Sequence, residues 1–98
     1  PQEFNFLKVI AAPFNEKTEG VSLNAHAQFW LGRYNKAEKI VFKPSLFSQY
    51  WIQVIKGGIN INELTLMTGD AVGIENKEEV ILTIEEDGAE FLIIEVEK

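Results

Sequence analysis

No stretch of this 98-residue sequence keeps a helical period; its apolar residues come in short runs separated by turn formers. Strands are predicted at Phe6–Ala11, Val21–Leu23, Gln28–Tyr34, Lys39–Lys43, Tyr50–Lys56, Ile59–Ile61, Glu63–Leu66, Ala71–Ile74, Val80–Glu85 and Glu90–Glu97. Turns are predicted at Gly57-Gly58, Thr68-Gly69-Asp70, Glu75-Asn76-Lys77 and Asp87-Gly88. Gly57-Gly58 and Asp87-Gly88 read as tight hairpins, because glycine takes positive φ without a steric penalty. Asn62-Glu63 is a weaker signal of the same kind. The polar stretch from Asn15 to Gly20 reads as a surface loop, and Pro13 and Pro44 fall at strand ends, where a missing N–H does least harm. Many short strands at this spacing predict an all-β fold, a β-sandwich or barrel, in one domain over residues 1–98.

The strands differ in how many of their faces are apolar. Val80, Leu82 and Ile84 alternate with Ile81, Thr83 and Glu85, as a half-exposed strand does. Tyr50 to Ile55 and Phe91 to Ile94 are apolar at nearly every position. Such strands are covered on both faces, or show one face to the core and the other to a partner.

The net charge is −6, and it is unevenly spread. Residues 75–98 hold two lysines against nine acids, whereas residues 1–74 are nearly balanced. Without clustered Lys and Arg the chain is a poor match for a phosphate backbone or an anionic membrane. No apolar run approaches the roughly 18 residues that span a bilayer. With no cysteine there is neither a disulfide framework nor thiolate chemistry, which makes a reducing cytoplasm the expected compartment. The chain opens on Pro1 and its one methionine is Met67, so it is expected to be part of a longer protein.

Reactive groups are few. His26 is the single histidine, and none of Ser22, Ser45 and Ser48 sits in a nucleophile elbow. One histidine and no cysteine make a zinc site improbable, so no metal ligand and no catalytic residue is assigned. Glu85-Glu86-Asp87-Gly88 lacks the alternating oxygens of a calcium loop and reads as a solvated tip. Trp30, Phe42, Phe47, Tyr50 and Trp51 could line a ligand pocket in a barrel mouth. Core packing is the preferred account of them, since few polar anchors accompany them.

The stretches Trp51–Asn62 (WIQVIKGGININ), Leu64–Ile74 (LTLMTGDAVGI), Leu82–Ile84 (LTI) and Ala89–Val96 (AEFLIIEV) together resemble, in order, the C-terminal cupin domain of pirin-like proteins, a family that includes bacterial quercetin 2,3-dioxygenases. A weaker likeness runs from Val21 to Gly32. There the family often shows His-Gln-Asp-Ala and this chain has Asn24-Ala25-His26-Ala27, so His26 inherits no role. The resemblance implies a cupin-like jelly-roll barrel and a two-cupin parent. In that parent an N-terminal barrel holds a divalent metal such as iron through three histidines and a glutamate, and the C-terminal barrel usually holds none. Aligned on the cupin metal motifs, Gly57 is the closing glycine of the first. That sets Tyr50 where the glutamate belongs and the histidine positions within Lys43-Pro44-Ser45-Leu46, which contains none. The second motif puts Val72 at its histidine and Asn76 at its asparagine.

The leading expectation is therefore a cofactor-free barrel beside the N-terminal cupin of a pirin-like protein, a dioxygenase or a transcriptional cofactor. It predicts an exposed apolar patch that drives homodimerisation of the isolated domain. A free-standing small-molecule-binding barrel is the alternative, and an enzyme in its own right ranks last.

Overall fold

The computed structural model describes residues 4–11 and 27–97, and everything below refers to them. Seven strands follow one another: β1 (Phe6–Ala11), β2 (Ala27–Tyr34), β3 (Glu38–Phe42), β4 (Ser48–Ile61), β5 (Leu64–Met67), β6 (Ala71–Glu75) and β7 (Val80–Glu97). The expected strand at Val21–Leu23, the loop at Asn15–Gly20, Pro13 and His26 lie outside the described residues. No helix of the structure is long and apolar enough to cross a membrane.

β4 and β7 run antiparallel as a two-strand spine. β2 and β3 line the free side of β7 in succession, β5 and β6 line the free side of β4, and β1 lies outside β2. The spine bends back on itself. Trp30 stands opposite Ile93 and Phe42 opposite Val80, thirteen residues apart on β7 and roughly 40 Å in an extended strand. Yet their rings meet edge to face with centroids 6.0 Å apart, and Phe42 meets Tyr50 at 5.2 Å. The two halves of the sheet are thus opposite walls of one barrel-like roll, although no strand pairing among the described residues closes it into a ring.

The expected hairpins at Gly57-Gly58 and Asp87-Gly88 are not hairpins. Both pairs lie inside continuous strands, at the corner where the spine bends. Pairing passes from Gly57↔Ala89 to Ile59↔Ile84, so Gly58 is skipped on β4 and residues 85–88 are skipped on β7. Gly57 and Gly88 do take positive φ, 92° and 88°. The same backbone freedom serves a bulge here instead of a chain reversal. A Cβ on Gly57 would run into the Gly88 carbonyl oxygen, and one on Gly88 into that of Tyr34.

The other turns fall as their residues direct. Asn62 and Glu63, at φ 45° and 77°, join Ile61 to Leu64 as a two-residue hairpin with both central residues left-handed. Gly69 at φ 91° closes the β5–β6 turn, where Asp70 N–H bonds the Met67 carbonyl and Met67 N–H bonds Asp70 Oδ2. That turn docks on β4 through Gly69 N–H to Val54 O and Val54 N–H to Asp70 O.

The core is the inward alternation of the spine and its neighbours. Tyr50, Ile52, Val54, Ile59 and Ile61 of β4 meet Val80, Leu82, Ile84, Ala89, Phe91 and Ile93 of β7, with Leu66 of β5. Each fully buried aliphatic or phenyl side chain here contributes about 1.5–3 kcal/mol. Phe91 has room because Gly32 faces it across the pair, where any Cβ would strike the ring.

Candidate functional site

Residues paired across antiparallel strands share a face, so the register orders the inside of the barrel into rows. Two rows are apolar: Gly32–Phe91–Val54 and Trp30–Ile93–Ile52–Val72. The next row toward the strand ends, Gln28–Glu95–Tyr50–Ile74, is the first to carry polar groups. It brings interior polar groups to one end of the barrel.

Those groups are wired to one another. Ser48 Oγ donates to Glu95 Oε2 at 2.9 Å, and Tyr50 Oη donates to the same oxygen at 3.1 Å. Ser45 N–H in turn donates to Tyr50 Oη at 2.8 Å. Ser48 and Tyr50 are both about 4% exposed. Burial pushes the Tyr50 phenol above its ordinary value; the Ser45 amide opposes this, and the Glu95 carboxylate adds to it. The phenol is accordingly a neutral donor at physiological pH.

The five aromatic candidates separate into two groups. Trp30, Phe42 and Tyr50 come together as a continuous edge-to-face column inside the barrel. Trp51 follows Tyr50 directly and therefore points to the opposite face, where it is 48% exposed. Phe47 stands in the β3–β4 turn, 77% exposed. Glu95 is not among the residues singled out in the sequence, and Ser48 and Ser45 are weighed there only as nucleophiles. The signal for Glu95 was legible: counting by twos from Phe91 and Ile93 puts a carboxylate on an inward position.

Among the described residues, this end of the barrel brings together no set of metal ligands. Tyr50, which the resemblance sets at the cupin glutamate, has its oxygen engaged by Ser45 and Glu95. Val72, which the resemblance sets at a histidine, packs against the core. Asn76, at φ 59°, serves the turn after β6. Among the described residues, no group of three or more His, Cys, Asp or Glu side chains could hold a metal ion.

The family model for the quercetinase C-terminal cupin domain matches residues 9–96. No curated protein matches the sequence. Among solved structures, a bacterial pirin from Escherichia coli in complex with nickel(II), YhhW, aligns over 97% of this chain and 41% of its own, at 19% identity and TM-score 0.78. A quercetin 2,3-dioxygenase from Acinetobacter baumannii aligns over 93% of this chain and 30% of its own, at 16% identity and TM-score 0.71. The EutQ protein of Clostridium difficile aligns over 72% of this chain and 50% of its own, at 17% identity and TM-score 0.51. The chain thus spans less than half the length of the pirin and dioxygenase structures, and likeness at these identities is likeness of fold.

Proposed function

This chain belongs to the quercetinase C-terminal cupin family, and on that premise we propose that it is the metal-free barrel of a two-cupin protein. It packs beside an N-terminal cupin that carries the metal and the chemistry, and helps to shape that assembly. The observation that carries this reading is the inner polar row. Where a metal-bearing cupin presents a ligand, this chain presents a neutral phenol held between a backbone amide and a carboxylate. Such an arrangement is a hydrogen-bonded structural network, in which a neutral phenol stands in place of a ligand. The reading assigns the protein to the cytoplasm, in keeping with its lack of cysteine.

Two measurements test it. After incubation with Ni²⁺ or Fe²⁺ and gel filtration, elemental analysis of the chain is expected to show far less than one metal per molecule, and flavonol turnover to stay at background. One tightly held equivalent of metal would overturn the reading. The gene upstream of Pro1 is expected to encode a barrel with two close histidines, a glutamate and a later histidine.

A ligand-binding barrel is the second reading, favoured by the aromatic column ending on Glu95, Tyr50 and Ser48. It ranks below the first because the three rings fill the space they line by touching one another. Titration with a flavonol, followed by quenching of Trp30 emission, separates the two; saturable quenching would bring the second forward.

A further inference from the structure

The corner where the spine bends carries a second set of polar groups, apart from the inner row. Gly57, Gly88 and Ala89 lie along a groove there of about 540 Å³, within the roughly 300–1,000 Å³ of small-molecule sites. Neither glycine has room for a Cβ, so that part of the groove is bare backbone. The walls are charged. The register sets Arg33, Glu90 and Lys56 side by side on β2, β7 and β4, one carboxylate between two cations.

Local contacts fix the arginine. Arg33 Nε donates to Glu90 Oε2 at 3.3 Å, and the guanidinium lies over the Phe4 ring, 5.0 Å from Cζ to centroid. Phe4 is positioned by Asn5, at φ 66°, whose N–H bonds the Arg33 carbonyl. The Asn5 side chain donates to Asn35 Oδ1 and accepts from the Asn35 N–H. With its Nε and one face engaged, Arg33 keeps its Nη donors without an acceptor among the described residues. Lys56 and Asp87 line the same groove and have no ion-pair or hydrogen-bond partner among the described residues. Singly, each would be an ordinary solvated charge. Together they set uncommitted charge of both signs on one groove, beside a phenyl ring that is 41% exposed. A guanidinium fork matches a carboxylate, and the Lys56 ammonium adds a point charge to it. A ligand with a carboxylate alone would meet Asp87 as a like charge, and one with an amine alone would meet Arg33 and Lys56. The groove therefore selects a molecule that carries both.

We propose that this corner groove binds a zwitterionic α-amino acid with an apolar side chain: its carboxylate on Arg33 and Lys56, its ammonium on Asp87, its side chain against Phe4. The site uses no residue of the inner row, so it stands or falls independently of the two-cupin reading above.

The test is a titration of the ¹⁵N-labelled natural-length polypeptide with L-phenylalanine, read from amide chemical shifts. Saturable shifts centred on residues 33–35, 56–57 and 87–90 are expected. N-acetyl-L-phenylalanine keeps the carboxylate and loses the ammonium, and 2-phenylethylamine keeps the ammonium and loses the carboxylate. Each is expected to bind at least about tenfold more weakly, since it forfeits one set of charge-assisted bonds and retains a like-charge contact. Lys56→Gln removes an exposed cation that has no partner to leave behind, and is expected to raise the half-saturation concentration at least about threefold. Shifts that stay linear to the solubility limit of L-phenylalanine, or that centre elsewhere, would overturn the inference. So would equal binding of either analogue, or an unchanged half-saturation in Lys56→Gln. The wild-type titrations with the three compounds decide the matter without any variant.

Discussion

The two faces of β4 and β7 are built from residues of nearly the same composition and do different work. On the inside, Ile52, Val54, Phe91 and Ile93 are fully excluded from solvent. On the outside, Trp51 and Ile55 remain 48% and 42% exposed, although they alternate with the buried positions along one strand. Hydrophobicity alone does not separate the two. What separates them is closure: the inner face meets the opposite wall of its own barrel, and the outer face meets nothing among the described residues. Substitutions of similar chemistry on the two faces should therefore have very different consequences.

The largest effect is expected at Phe91. Its ring lies over Gly32 and stacks on Tyr34 with planes 8° apart and centroids at 6.2 Å. Phe91→Ala removes that ring from the centre of the inner face and should cost about 3–5 kcal/mol, read from urea unfolding. A loss below roughly 1 kcal/mol would mean that the inner wall collapses freely to fill the space, and that the core is less closely packed than its burial indicates.

Next come the glycines, which contrast a closed corner with an open turn. Gly88→Ala places a methyl against the Tyr34 carbonyl at a left-handed backbone, and should cost roughly 2 kcal/mol or more. Gly69→Ala meets the same φ penalty with nothing within 4 Å, so about 1 kcal/mol is expected. Equal losses at the two sites would show that φ alone decides, and that the bend of the spine tolerates displacement.

These same glycines show where the sequence was legible and where it was not. The period-two alternation of Val80, Leu82 and Ile84 revealed their inward face, and Asn62-Glu63 marked a real two-residue hairpin. Gly57-Gly58 and Asp87-Gly88 also announced positive φ correctly, yet a hairpin and a corner bulge ask the same of one residue. Which of them forms depends on what pairs with the strand from afar, here Tyr34↔Ala89 and Glu38↔Ile84 on the far side of β7. Tyr50 and Trp51 teach a similar lesson. Adjacent aromatics in an apolar run looked like partners, and the pleat sends them to opposite faces. Glu95 was visible as an acid in an apolar run, but Ser45 and Ser48 become its network only once the β3–β4 turn brings them over the barrel end.

A pH titration probes the inner face through its tyrosines. Burial raises both phenols above 10.0; the carboxylate of Glu38 adds to the shift at Tyr34 and that of Glu95 to the shift at Tyr50. The unfolded chain then releases these protons at lower pH than the folded chain does, so the stabilisation is complete below pH 10 and falls as pH rises past it. Absorbance at 295 nm should show native tyrosines ionising later than those of the urea-unfolded chain. Coincident curves would mean that the Tyr50 hydroxyl reaches water freely. Tyr50→Phe should remove one of the two late titrations and cost about 1 kcal/mol, since the Ser45 amide and Glu95 lose a partner.

The smallest effects give the sharpest comparison, because they use one substitution on one strand. Ile52 and Ile55 are both isoleucines of β4, the first fully buried and the second 42% exposed. Ile52→Val should cost about 1 kcal/mol, through a lost methylene and the small void it leaves. Ile55→Val should fall within about 0.5 kcal/mol of zero, because the methylene it removes is already partly in water. If both values were alike, the outer position would be packed as closely as the inner one, and the distinction between the two faces would be gone.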